Sequence, residues 1–140
     1  MIMPFSQYLA TEILDWFKGG AMPTALSTVF LTVHSGDPGV AGTSNNVTNT
    51  VRGDSNRVSI TTSTLSTVGS ASGGGFQITN GGVVQITASA AAGATVTHFG
   101  VWDANSGGNF LASGQLTSSV IVVTGDTVQF NIGAMAIKVV

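Results

Sequence analysis

The residue pattern predicts an all-β protein: an antiparallel jelly-roll-like or Greek-key sandwich of about eight strands with one N-terminal helix. Three observations carry this. From residue 27 onward, runs rich in Val, Ile, Thr and Phe alternate with short clusters of Gly, Asn, Asp and Ser, the strand-and-turn rhythm of a sandwich. Ahead of them, one stretch repeats its apolar residues every three or four positions, the period of a helix. The chain has 140 residues, room for one domain with a sizeable core and not for two. A single domain over residues 1–140 is therefore expected, with the sandwich over 27–140.

The helix is expected over residues 6–18, where Leu9, Ile13 and Trp16/Phe17 form an apolar stripe. Ser6 suits an N-cap, and Gly19-Gly20 with Pro23 beyond Lys18 reads as a stop. The stripe is expected to cover an apolar edge of the sandwich; a partner-facing arm is the other reading. The first strand is expected from residue 27, where Val29, Leu31 and Val33 alternate with Phe30, Thr32 and His34. Further strands are expected at 57–63, 75–79, 83–88, 96–102, 110–116, 120–123, 127–132 and 134–139. Asn80-Gly81 between two runs reads as a hairpin, and Asn105-Ser106-Gly107-Gly108 and Gly125-Asp126 as turns. The last strand is too apolar to hang free, so it is expected to pair within the sheet or with a neighbouring subunit. Residues 36–56 show little periodicity and read as a long loop, and 66–74 as a Ser/Gly-rich flexible one.

Charged residues make up only 7% of the chain: four basic, six acidic, net charge −2. Four cations cannot supply the phosphate neutralisation that dominates nucleic-acid affinity, and the aromatics lie in strand patterns without interleaved Lys or Arg. No nucleic-acid partner is expected. No apolar run approaches the ~20 residues that span a bilayer, so no membrane partner is expected either. Residues 1–5 lack a basic flank, and no leader peptide is expected there. Without cysteine there is no disulfide, thiolate metal site or thiol nucleophile.

Catalytic patterns are absent from the sequence. The acids Glu12, Asp15, Asp37, Asp54, Asp103 and Asp126 are scattered, and several sit where Asp bonds its own turn. His34 and His98 have no second ligand at a metal spacing and read as structural histidines, though the two could be neighbours. No Gly-x-Ser-x-Gly elbow occurs. The expectation is a protein that is not an enzyme, with no catalytic residue, cofactor or metal. Trp102 beside Asp103 at a strand end is a candidate for stacking on a sugar. Arg52-Gly53-Asp54 matches the tripeptide integrins read and Asn46-Val47-Thr48 a glycosylation sequon; matches this short arise by chance.

Loops as long as 36–56 are often functional. The partner-contact candidates are accordingly Asp37, Asn45, Asn46, Arg52 and Asp54, with Arg57 just after, the two arginines offering bidentate anchors. With so few charges, binding is expected to rest on apolar burial and neutral hydrogen bonds, and to resist salt.

Two stretches then carry a family resemblance. One is the Val29–Ser35 strand running into Gly36-Asp37-Pro38-Gly39. The other is Thr97-His98-Phe99-Gly100-Val101-Trp102-Asp103-Ala104, followed by Gly108-Asn109-Phe110-Leu111-Ala112-Ser113-Gly114. In this order they resemble a group of small tailed-bacteriophage virion proteins. That group shares a helix, a strand ending in Asp-Pro, a Thr-His-Phe-Gly-Ile-Trp-Asp-Ala strand and a Gly-Asn-Leu-Leu hairpin arm. The likeness runs from Leu14 to about Phe130; the longer 36–56 region departs from it. Members are often labelled tail fibre proteins, and others resemble cement, or decoration, proteins of capsid shells. The resemblance implies a non-enzymatic virion structural protein. Lacking a repetitive or coiled-coil shaft, the chain is expected to be a capsid cement protein on the outside of the virion, bound to the major capsid protein. It is further expected to be a homo-oligomer, dimer or trimer. A tail or tail-fibre-associated protein is the alternative, and a receptor- or carbohydrate-binding module a further one.

Overall fold

The computed structural model describes residues 5–88 and 93–139. The expectation about a leader peptide falls largely on residues 1–4, outside the described residues. In chain order the elements are helix α1 (Gln7–Phe17), β1 (Thr28–His34), the short helix α2 (Thr48–Arg52), β2 (Val58–Thr61), β3 (Gly69–Ser70), β4 (Phe76–Thr79), β5 (Val84–Thr87), β6 (Ala94–Trp102), β7 (Phe110–Val122), β8 (Thr127–Phe130) and β9 (Ala136–Val139). A four-stranded antiparallel sheet, β2-β1-β6-β7, faces a second layer made of β3-β4-β9 and the ribbon β5-β8. The pairings of β1 with β6, β4 with β9 and β5 with β8 are long returns, as in a Greek key. The all-β sandwich expected from the sequence is the observed fold, with nine strands among the described residues.

Between the layers lie Val29, Leu31 and Val33 of β1, Val84 and Ile86 of β5, and Val128 and Phe130 of β8, each set alternating as the pleat requires. In β6 a bulge between Val96 and His98 shifts the phase, so Val96 and Phe99 both face inward although three residues apart. Burying each such side chain is worth about 1.5–3 kcal/mol.

Several expectations are corrected. Asn80-Gly81 is not a hairpin turn, because β4 and β5 belong to different sheets. Asn80 is instead a buried strut. Its Nδ2 donates to the carbonyls of Gly82 (2.9 Å) and Asn131 (2.8 Å), and its Oδ1 accepts from Met135 N–H (3.0 Å). That tether aligns the approach to β9 with β4. The expected strands 110–116 and 120–123 are one long strand, β7. The 66–74 stretch contains β3. Residues 36–56 are not a plain loop: they contain α2, and Pro38, Gly42, Thr48 and Val51 are buried. A second helix therefore joins the expected N-terminal one.

Helix α1 begins as expected, Ser6 Oγ accepting from Leu9 N–H at 3.0 Å. Its start is tied down by Ser6 N–H to Leu111 O (2.8 Å) and Gln7 N–H to Val40 O (3.3 Å). It ends as expected too, with Lys18 as C-cap and Gly19 at φ 97°. Its packing is weaker than expected. No residue of α1 is buried; Leu9 and Ile13 are half-buried, and Trp16 is 52% exposed.

Candidate functional site

The four-stranded sheet has a second buried face, opposite the core. Register places Thr32 across from Gly100, Phe30 across from Trp102, and His34 across from His98. Glycine at 100 makes the face possible. A Cβ there would stand 2.6 Å from Thr32 Oγ1, 3.0 Å from the Phe110 ring and 3.2 Å from His34 Nε2.

A hydrogen-bond chain fills the space. Ser44 O, 2.8 Å from His34 Nδ1, can only accept, so Nδ1 carries the proton and Nε2 is left to accept. The Thr32 hydroxyl donates to Nε2 (2.8 Å) and accepts from Trp102 Nε1–H (3.1 Å). Burial holds the His34 pKa below its usual value, and His98 adds to that push. The bond to Ser44 and the Asp37 carboxylate oppose it more weakly. The ring is thus a neutral strut.

This strut anchors the segment carrying the expected contact residues. Beyond the end of β2, the free edge of β1 is taken by residues 45–48: Ser35 N–H bonds Asn45 O, Val47 N–H bonds Val33 O, and Val33 N–H bonds Thr48 Oγ1, each at 2.9 Å. Gly42 (φ 71°) lies so close beneath the Phe110 ring that no Cβ fits.

Asp37, Asn45 and Asn46 are exposed and cluster at one end of this segment. Asp37 Oδ1 accepts from Gly39 N–H (2.8 Å), its carbonyl accepts from Asn45 Nδ2 (2.9 Å), and Asn46 Oδ1 accepts from Thr48 N–H (2.9 Å). Arg52 and Asp54 form a separate knot around Asn56. Arg52 donates to Asn56 O, and Asp54 accepts from the Asn56 backbone N–H (2.9 Å) and amide (2.8 Å). Those bonds, the backbone one first, hold the Asp54 carboxyl below its usual pKa.

Arg57 is engaged internally. Its Nη1 donates to the carbonyls of Ala104 and Gly107, both at 2.6 Å, and its guanidinium lies 3.7 Å from the centre of the Trp102 ring. It braces the β6–β7 turn, which Asp103 closes by accepting from the backbone (2.6 Å) and side chain (2.8 Å) of Asn109. The sugar-stacking reading of Trp102 therefore fails: the indole is only 8% exposed and Arg57 covers its ring.

One feature escaped the sequence reading, and a second is the arm it gave only as the other reading of the helix. The first is an open cleft of about 440 Å³ between α1 and the sandwich, floored by Trp102 and Phe110 and edged by Tyr8, Glu12, Val40 and Asn109. No local pattern announces it, since it exists only where α1 meets the segment around Val40. The other is an apolar surface on the second half of α1 and the link to β1. Leu14 is 63% exposed, Phe17 73%, Met22 49% and Leu26 40%. Its signal was in the sequence: Leu14 and Phe17, three apart, widen the stripe beyond what one contact face needs.

Among the described residues no helix is long and apolar enough to cross a membrane. No group of three or more His, Asp or Glu is placed to hold a metal ion there. No curated protein matches the chain. A family profile does, over residues 4–138: that of the Podophage GP4 fiber I protein gp80. The match takes in the braced β6–β7 turn, the second buried face and the helical arm alike, and so the chain belongs to the Podophage GP4 fiber I protein gp80 family and is a structural protein of a phage virion.

Proposed function

We propose that the protein is a non-enzymatic, fibre-associated structural subunit of the phage tail. The observation that carries this reading is the family match over residues 4–138, nearly the whole chain, to a protein described as a fibre component. The geometry supports a structural role. The polar side chains of the second buried face are committed to one another, and the Asp103 and Arg57 bonds stiffen the β6–β7 turn. The exposed tip at Asp37, Asn45 and Asn46 is the proposed polar contact with a neighbouring virion protein; Arg57 leaves that role because its guanidinium is already held.

The second reading, a cement protein clamped on the major capsid protein at the shell surface, is favoured by one observation. The described strands are packed as a sandwich, with no repetitive shaft among them of the kind a fibre uses for length. Copy number separates the two. Quantitative mass spectrometry of purified virions, with labelled antibody located by electron microscopy, should find the protein on the tail at far fewer copies than the major capsid protein. Near-stoichiometric copies spread over the shell would replace the fibre reading with cement. Particles washed from about 0.1 M to about 1 M salt, which shortens screening from roughly 10 Å to 3 Å, should keep the protein.

A further inference from the structure

The chain holds a single Asn-Gly pair, Asn80-Gly81. Asparagine before glycine is the sequence most given to self-modification, because glycine has no side chain to keep its backbone nitrogen off the asparagine amide. In the fold that reaction is closed off atom by atom. Asn80 is 2% exposed. Its side-chain carbonyl accepts from Met135 N–H at 3.0 Å, and its amide donates to Asn131 O at 2.8 Å and Gly82 O at 2.9 Å. Its backbone is tied as well: Asn80 N–H donates to Met135 O (3.1 Å), and Asn80 O accepts from Gly133 N–H (2.9 Å). The attacking group is occupied too, since Gly81 N–H donates to Thr64 O at 2.8 Å. The pair therefore sits inert where β4, the end of β8 and the approach to β9 meet.

We propose that Asn80-Gly81 is a latent self-modification site that makes prolonged unfolding of this protein irreversible. In an open chain the Gly81 nitrogen gives its proton to hydroxide and attacks Asn80 Cγ. A bond forms between them, the Cγ–Nδ2 bond breaks, and Nδ2 takes a proton from water and leaves as ammonia. Water then opens the cyclic imide at either carbonyl and leaves aspartate or isoaspartate at position 80. The balance is one water consumed and one ammonia released. Neither product fits the junction. An ionised aspartate puts an acceptor where Nδ2 stood, facing the carbonyls of Gly82, Phe130 and Asn131, and a buried charge without a donor is strongly disfavoured. Isoaspartate lengthens the main chain by a carbon just where Gly81 N–H and Gly82 N–H both bond Thr64 O, at 2.8 and 3.1 Å. A chain altered chemically while unfolded does not return to the native state. This holds whether the subunit sits on tail or shell, and its test uses the purified chain alone, so its failure is separate from that of the functional proposal.

The full chain is held in mildly alkaline buffer, folded in one sample and unfolded in guanidinium chloride in another, and both are followed by peptide mass mapping and by refolding on dilution. Unfolded, Asn80 should change from amide to acid ahead of Asn105, whose neighbour Ser106 has a side chain that hinders the attack. Folded, Asn80 should react at least about a hundredfold more slowly, since only the briefly open fraction, on the order of 10⁻³ or less, can react. The refoldable fraction, read by far-ultraviolet circular dichroism, should fall in step with modification at Asn80, and the molecules that do refold should carry the amide. Gly81→Ala is the control: a Cβ there meets Thr64 O and Ser66 N at 3.4 Å, an ordinary contact, and the backbone is not left-handed. It should fold, resist modification in denaturant and keep its ability to refold. Asn80→Asp should fail to refold or melt well below the wild type. If Gly81→Ala does not fold, the wild-type fractions decide alone. Equal reaction rates at Asn80 in the folded and unfolded chain, or refolded molecules as rich in acid at position 80 as the rest, would overturn the proposal.

Discussion

Thr32→Val isolates what the buried hydroxyl does, because valine keeps the branched shape and the strand preference of threonine. Thr32 is 3% exposed and sits between two buried groups: Trp102 Nε1–H donates to its oxygen at 3.1 Å, and its own proton goes to His34 Nε2 at 2.8 Å. Valine strands both. An unpaired buried donor or acceptor costs about 1–3 kcal/mol, so the variant should lose roughly 2–5 kcal/mol of a stability on the order of 5–15 kcal/mol. Thr32→Ser keeps the hydroxyl and removes a methyl, which should cost about 1 kcal/mol. The order of the two variants is the decisive reading. Packing alone ranks valine above serine, whereas the hydrogen-bond chain ranks serine above valine. Urea unfolding followed by far-ultraviolet circular dichroism checks it: with a slope near 2 kcal/mol per molar, the valine midpoint should fall by about 1–2.5 M and the serine midpoint by about 0.5 M. A valine variant at least as stable as the serine one would refute the reasoning.

Other consequences follow from the same face of the sheet. Burial lowers the His34 pKa in the fold, so the unfolded chain takes up the proton first. His34's contribution is then complete above the unfolded value of about 6.5 and drains away as pH falls from there through the depressed folded value. Melting temperature should drop between pH 7 and pH 5, before most carboxylates titrate, and a flat profile there would contradict a neutral His34 strut. Gly42→Ala combines a left-handed backbone (φ 71°) with a collision against Phe110, and should cost about 2–4 kcal/mol. Gly107→Ala, at φ 63° with nothing near its Cβ, should cost only about 1–2 kcal/mol; equal losses in thermal melts would show that the Phe110 contact carries no weight. Arg57→Ala removes two bonds to carbonyls and the contact with Trp102, and should cost about 2–3 kcal/mol in chemical denaturation. Arg57→Lys should recover less than half of that, because a point charge cannot both bridge Ala104 and Gly107 and stack on the ring; full recovery by lysine would reduce the interaction to simple charge.

Local chemistry made much of the fold legible. The alternation of Val29, Leu31 and Val33 marks β1 because a half-buried strand can satisfy only a two-residue period. Ser6 and Gly19 mark the ends of α1 because an N-cap hydroxyl and a left-handed glycine answer backbone needs that arise wherever a helix stops. Asn105 to Gly108 mark the β6–β7 turn for similar reasons. The order of the Asp-Pro turn, the Thr-His-Phe-Gly strand and the Gly-Asn hairpin arm pointed to a phage virion protein, and the family match over residues 4–138 bears that out. Tertiary structure decided the rest. Asn80-Gly81 has hairpin chemistry, but whether its flanking strands pair depends on β9 and β8, forty or more residues away, which took β4 and β5 as partners. Residues 36–56 have no period because their partners are irregular, the edge of β1, the Phe110 ring and turns of their own, and a period records only a regular neighbour. Arg57 looked like an anchor for a partner until the fold brought the carbonyls of Ala104 and Gly107, some fifty positions on, to its guanidinium. Sequence alone determined the period of β1, the caps of α1 and the resemblance to phage virion proteins, since all of these are written in neighbouring residues or their order. Which strands pair, which polar groups are committed inside, and which face of α1 stays bare were decided only when distant segments came into contact, because those energies belong to pairs of residues that no local pattern joins.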